Sequence, residues 1–222
     1  MSEADLPGAI AAACGRLGLD VSPDAHRGLA AYAVSLWSWN ERLNLTRHLD
    51  VERFVGRDVA DAAALARHLA RGERVLDVGT GGGAPGVILA ILRPDLRVEL
   101  CDSVAKKARA VEAIVAEAGL PIPVHAAAAQ ALVAGRREGP DRFDTLVVRA
   151  VAPLGKLLRW FEPLAGNYGR LLVIKGPRWE EEQAEARHAG LGRRLAIRRI
   201  DAWPLAGTES ETALLEITPR PA

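Results

Sequence analysis

Apolar and polar positions change their rhythm near residue 72. Before it, apolar residues recur at helical spacing without β-branched alternation. In "SPDAHRGLAAYAVSLWSWNERLNL", Ser22 offers an N-cap and Pro23 the first helical position. Leu29, Ala33, Leu36, Trp37 and Asn40 then share one face. Thr46 to Asp50 interrupts that helix, and "VERFVGRDVADAAALARHLAR" starts another, which Gly72 ends. Trp37 and Trp39 cannot both face one core from one helix, so one of them is expected to pack between the helical segment and the rest.

From Arg74 short apolar runs alternate with helical stretches. "RVLDVG" reads as a strand and "APGVILAILRP" as a helix stopped by Pro94. "RVELCDS" is a second strand and "AKKARAVEAIVAEAG" a second helix, with Val104, Ala108, Val111, Val115 and Ala118 on one buried stripe. "IPVHAAA", "FDTLVVRAV" and "RLLVIKG" supply three more strands, the last two separated by a helix in "LGKLLRWFEPLA". A solvated helix in "WEEEQAEARHA" precedes "RRLAIRRIDAW" and "TALLEITPR", two alternating strands joined at Gly207, which predicts an antiparallel edge hairpin. Strands that alternate with helices need crossovers. The expected fold is therefore α/β, a seven-stranded, mostly parallel, doubly wound sheet with helices on both faces. The chain divides into an N-terminal helical extension (1–72) and an α/β domain (73–222).

Composition narrows the class. In 222 residues, no apolar run approaches the length of a membrane span, and "MSEADLPGAI" lacks the pattern of a signal peptide. A cytoplasmic protein is expected, with Cys14 and Cys101 as buried free thiols, since they form no CxxC pair. Histidine and cysteine spacing suggests no metal site. A net charge of +1 says little about partners, because steering depends on where charges sit.

The chemistry concentrates in "RVLDVGTGGGAPGVILAIL", which holds five glycines in eight positions. In an open parallel sheet, ligands bind at the carboxyl ends of strands, where this loop lies. GxGxxG fits at Gly81, Gly83 and Gly86, and GxGxxA at Gly79, Gly81 and Ala84; alone the motif is a weak signal. Asp77 separates the alternatives. A carboxylate two residues ahead of the loop would repel a pyrophosphate at the helix N-terminus but would suit an ammonium-bearing ligand. S-adenosyl-L-methionine (SAM) has that amine and no phosphate. Asp102, at the end of the second strand, is placed to accept ribose hydroxyls, which NAD shares.

The DxGxGxGxPG pattern with Pro85 inside the loop, "LWSWNERLNLT", "LCDSVAKKARAV", "FDTLVVRAVAPL" and "LLVIKG" together resemble the RsmG (GidB) family of bacterial 16S rRNA guanine-N7 methyltransferases. The resemblance spans nearly the whole chain. It implies a class I, Rossmann-like SAM-methyltransferase fold and a target at guanine 527 of the 530 loop. The partner is then the small ribosomal subunit, and the protein is expected to act as a monomer without a membrane. It carries cofactor contacts onto Gly79, Ala84, the Ala129–Gln130 pair and Arg149. Three residues depart from the family pattern: Ala84 for a bulkier apolar residue, Gln130 for glutamate and Asp58 for histidine.

No Ser–His–Asp, Cys–His or paired-carboxylate arrangement is visible, as suits this reaction. Guanine N7 has a lone pair and no proton, so its attack on a sulfonium methyl needs alignment rather than a general base. Arg149 and Lys175, at strand ends, are candidates to position substrate; a solvated lysine, and an ion pair of Arg149 with Asp77 or Asp102, are the competing readings. Lys106, Lys107 and Arg109 read as a solvated face, and Arg193, Arg194, Arg198 and Arg199 as a cluster of open facing. Trp179 reads as a stacking or a core residue. The rivals are a small-molecule methyltransferase of this fold, a SAM-binding RNA protein without turnover, and an NAD oxidoreductase.

Overall fold

The computed structural model describes residues 3–136, 139–204 and 208–220. The Gly207 connection lies outside them. Three helical segments precede the sheet: α1 (Leu6–Arg16), α2 (Pro23–Leu43), and a run made of α3 (Val51–Arg53), a π-helical turn (Phe54–Val59) and α4 (Ala60–Ala66). Ser22 caps α2 by accepting from the Ala25 amide at 3.2 Å, with Pro23 at the first turn. Asn44, in the left-handed region, ends it. Leu29, Ala33, Leu36 and Asn40 are buried along α2, as their spacing predicts.

The α/β part runs β1 (Arg74–Val78), α5 (Gly86–Leu92), β2 (Arg97–Cys101), α6 (Ala105–Glu117), β3 (Val124–His125), α7 (Ala129–Gly135) and β4 (Phe143–Arg149). It continues through α8 (Leu154–Phe161), β5 (Tyr168–Lys175), α9 (Trp179–His188), β6 (Leu195–Pro204) and β7 (Glu211–Pro219). The strand order is β3-β2-β1-β4-β5-β7-β6, and only β7 is antiparallel to its neighbours. The expected seven-stranded, mostly parallel sheet with an edge hairpin is therefore present.

Strand parity sorts side chains between two cores. Val75, Val147, Leu172 and Leu214 face one side, where they pack with Ile10, Leu36, Phe54 and Leu65 of the preceding helices and with α5 and α6. Leu76, Val148, Leu171 and Leu215 face the other, under α7, α8 and α9. Each such aliphatic side chain contributes about 1.5–3 kcal/mol on full burial, which welds the early helices to the sheet. Trp39 is the tryptophan between the two regions: its Nε1 donates to Glu117 of α6 at 3.1 Å, whereas Trp37 donates to the His48 carbonyl and packs edge-on to Phe54. The same parity directs Asp77 and Arg149 toward the early helices.

Some expectations need correction. Val104 does not join the α6 stripe; it is the extended residue ahead of the helix and is half exposed. The third strand shrinks to two residues because β2 pairs with it only through Leu100 and Cys101. Between β3 and β4 stands α7, for which the residue pattern gave no signal: only Ala129 and Val133 of its seven residues are buried. The alternation of β6 is broken by a bulge between Arg199 and Asp201.

Candidate active site

Asp77 organises the glycine loop from beneath. Its Oδ2 accepts from the Thr80 hydroxyl at 2.7 Å and from the Gly86 amide, the first of α5, at 2.9 Å. Burial pushes this carboxyl up to about 6, against the pull of those two hydrogen bonds and of the Arg149 charge. Asp102 accepts from the Gly81 amide at 3.1 Å and the Val104 amide at 2.8 Å. Tyr32, wholly buried on α2, donates to the Gly82 carbonyl at 3.0 Å. The loop is thus fixed by two strand-end carboxylates and one tyrosine.

Two glycines explain the motif. Gly86 leaves no space for a side chain: a Cβ there would stand 2.4 Å from Leu100 and 2.7 Å from Asp77 Cβ, so it sets the close packing of α5 on the strands. Gly81, at φ 59°, is the opposite case, since a Cβ would meet nothing nearer than the Gly79 carbonyl at 3.9 Å. Its free side faces a cavity of about 220 Å³ lined also by Gly79, Ala84, Thr46, Lys107 and Arg149. The placement of Asp77 differs from the expectation of a carboxylate facing the ligand. It points under the loop and is not among the residues that line the loop cavity, and it occupies the amide of Gly86 to which a pyrophosphate would turn.

Arg149 pairs with neither Asp77 nor Asp102. Its guanidinium donates to Asp58 at 2.5 Å and to Asp61 at 3.1 Å, both carried by the run around the π-helical turn. Residues three apart on a helix share a face, and π-turns interrupt helices often at functional sites. Burial alone would lower the arginine's proton affinity, but the two carboxylates hold it above its ordinary value. Burial also acts to raise Asp58, and the His48 hydrogen bond at 2.8 Å together with the Arg149 charge outweighs it, leaving this carboxyl below the usual range. Asp58, 1% exposed, is thus a buried anchor for Arg149. Trp203 donates to Asp61 at 2.9 Å and ties the edge hairpin to the same network.

Arg149 and Ala150 belong also to a second cavity of about 400 Å³, at the carboxyl ends of β4 and β5, which takes in Arg57, Lys175, Glu182 and Thr212. Lys175 is not solvated. Its ammonium donates to the Ala152 carbonyl at 2.8 Å and to Glu182 at 2.6 Å. The structure therefore brings Gly79, Gly81, Ala84 and Arg149 together around one hollow, with Lys175 in the next. Gly83, Asp102, Ala129 and Gln130 line neither; Ala129 and Gln130 open α7, beyond the end of β3. Sequence reasoning missed Tyr32, Thr46 and Asp61. A tyrosine three positions after Leu29 on a buried stripe was the available sign for the first, because its hydroxyl needs a partner.

The other candidates fall elsewhere. Lys107 reaches the loop cavity, while Lys106 and Arg109 line a separate hollow with Trp39 and Arg42. Trp179 packs partly buried against the second core. β6 runs parallel to β5, so Arg193 and Arg194 precede it at the end opposite the loop, and Arg198 pairs with Glu216 at 2.5 Å. Reversing Arg198 and Arg199 together to glutamate is expected to leave RNA affinity and its salt dependence unchanged in filter binding; a shallower salt slope would place RNA on this strand. Both cysteines are buried and free, and burial pushes the Cys101 thiol up to about 12. Among the described residues no group of His, Cys, Asp and Glu is arranged for a metal, and no helix is long and apolar enough to cross a membrane.

Residues 25–195 match the GidB family, described as rRNA small subunit methyltransferase G. A Rhodopirellula baltica protein named ribosomal RNA small subunit methyltransferase G is 43% identical over 201 residues, covering 90% of this chain and 85% of its own. The chain belongs to the GidB family. Its Pseudomonas aeruginosa member is 38% identical over 184 residues, covering 78% of this chain and 83% of that one. The solved structure of MtNAS in complex with MTA and tNA superposes with a TM-score of 0.55 at 17% identity, over 87% of this chain and 72% of that one. This likeness is one of fold, the class I methyltransferase fold. Membership in the family makes the protein a SAM-dependent rRNA methyltransferase.

Proposed function

We propose that this protein methylates N7 of a guanine in 16S rRNA, at position 527 of the 530 loop by the usual numbering, on the small ribosomal subunit. The observation that carries the reading is the meeting of two cavities at Arg149 and Ala150, one lined by the glycine loop and one open beyond the ends of β4 and β5. When bound, SAM supplies an electrophilic sulfonium methyl, which the N7 lone pair takes while the bonding pair stays on sulfur. Nothing in that step needs a side-chain base, and the two residues that the cavities share, Arg149 and Ala150, offer none.

The residues present fit that cofactor. Gly81 leaves its Cβ direction open toward the loop cavity, and Asp77 fills the anion position at the start of α5. Gly79, Gly81 and Ala84 form the wall beside the cofactor, with Gly83 setting the turn. Asp102 stands at the end of β2 for ribose hydroxyls, and Ala129 and Gln130 stand beyond β3 for the adenine. Arg149, clamped by Asp58 and Asp61, holds the wall between donor and acceptor at a fixed position. Holding two reactants in line contributes up to about 7–11 kcal/mol in favourable cases.

Tritium from labelled SAM is expected at guanine N7 of small subunits taken from a strain lacking this protein. Label at another atom, or none, would overturn the reading. Gly81→Val puts a branched side chain into the loop cavity at positive φ. It is expected to remove SAM binding in calorimetry while the circular dichroism spectrum stays that of the parent.

A further inference from the structure

The 400 Å³ cavity lies within the range of about 300–1,000 Å³ typical of ligand sites. Most of its polar groups are already engaged: Arg149 by Asp58 and Asp61, Lys175 by Ala152 and Glu182, and His48 by Asp58. Three are not. The Thr212 hydroxyl is buried, in a residue only 3% exposed, and finds no hydrogen-bond partner among the described residues. Arg57, half-buried on the π-helical turn, makes no ion pair among them. Glu182 receives both the Leu154 amide and Lys175 on Oε2, which leaves Oε1 as an acceptor. A buried polar atom without a partner costs about 1–3 kcal/mol, which a ligand bonding it would recover.

Topology orders these groups. Thr212 is the second residue of β7, one step in register from the Ala213–Lys175 pair, and Glu182 reaches Lys175 from α9. Both therefore sit on the β5–β7 side, while the glycine loop sits beyond β4 on the β1 side. A base in between turns one edge to a hydroxyl and to a carboxylate oxygen that only accepts, and the opposite edge to the loop. Guanine carries donors at N1 and its exocyclic amine, across the ring from N7, whereas adenine N1 is an acceptor. We propose that this cavity seats the acceptor guanine, with its N1–H and amino edge on Thr212 and Glu182 and its phosphate on Arg57. The inference rests on the guanine-N7 reading above and adds the groups that select the base.

The test is Thr212→Val beside Thr212→Ser, assayed with small subunits lacking the modification. Valine matches the shape and deletes the hydroxyl, so melting temperature and SAM affinity are expected to hold while kcat/KM for the subunit falls roughly tenfold, as for one hydrogen bond lost in a desolvated site. Serine is expected to restore it. Arg57→Gln is expected to flatten the plot of log affinity against log salt by about one phosphate contact. Parental kcat/KM in Thr212→Val, or an equal loss of SAM affinity, would overturn the proposal. If that variant does not fold, an unchanged salt slope in Arg57→Gln overturns it instead. A parent protein that puts no methyl on guanine N7 defeats the functional reading itself, whereas a silent Thr212→Val with an active parent defeats only this seat.

Discussion

Arg149→Met is expected to destabilise the fold by about 3–5 kcal/mol at neutral pH, because it strands two carboxylates inside the protein. Among the described residues, Asp58 would keep only His48 and Asp61 only Trp203. For a chain of this size the loss corresponds to a fall in melting temperature of roughly 6–20 °C. The pH dependence fixes the cause. In the parent, Asp58 is held below its ordinary value of 3.8, so its contribution is present above that value and is lost as pH falls through the lower one. Without the guanidinium, burial dominates and raises Asp58, so the variant loses stability as pH climbs past about 4. The deficit should therefore be larger at pH 7 than at pH 4, as measured by urea unfolding. Adding Asp58→Asn to Arg149→Met should recover much of it, because the two residues share one interaction. A deficit independent of pH would mean that packing, and not charge, is what Arg149 contributes. Methyl transfer should fall in either case, since the wall between the cavities loses its anchor.

Much of this arrangement is written in local pattern. Period-two alternation in "FDTLVVR" places Val147 and Arg149 on one face of the sheet and Val148 on the other, and the two cores divide accordingly. Ser22 and Pro23 mark the start of α2 because capping needs only neighbouring atoms. The loop is legible for the same reason, since Asp77, Thr80 and Gly86 lie within ten residues of one another. What was not legible depends on distant parts of the chain. The carboxylates that hold Arg149 are 88 and 91 positions away, and no spacing rule connects them; Asp77 and Asp102 were nearer in the pattern but are engaged with backbone and hydroxyl donors. Asp58 read only as a departure from the family's histidine, because its burial arises only when the π-helical turn docks on the sheet. α7 escaped because only Ala129 and Val133 of its seven residues are buried, too few to mark a stripe.

Asp77 is where stability and binding should move in opposite directions. Asp77→Ala removes the acceptor for Thr80 and the Gly86 amide, leaving buried donors unmatched, and is expected to abolish SAM binding through a slackened loop. Asp77→Asn separates geometry from charge, since an amide oxygen can accept from both donors. The parent carboxyl, raised from 3.8 to about 6, keeps a proton that the unfolded chain has released between those values. Stability therefore declines as pH rises across that window, and ionised Asp77 opposes folding by about 3 kcal/mol at pH 7. Asp77→Asn should accordingly stabilise the ligand-free protein at pH 7 by at most that amount, less what its new amide N–H forfeits, and should give no gain at pH 4. Cofactor affinity carries the opposite sign. A cationic ligand favours the ionised carboxylate, so in the parent its affinity should weaken up to tenfold per pH unit below about 6, while the ligand's own amine stays protonated throughout. In Asp77→Asn that slope should vanish and the affinity at pH 7 should be lower. Calorimetry between pH 5 and 7 reads both. If the asparagine variant binds as tightly as the parent at pH 7, Asp77 serves the loop only as a brace, and its charge has no part in choosing a sulfonium over a pyrophosphate.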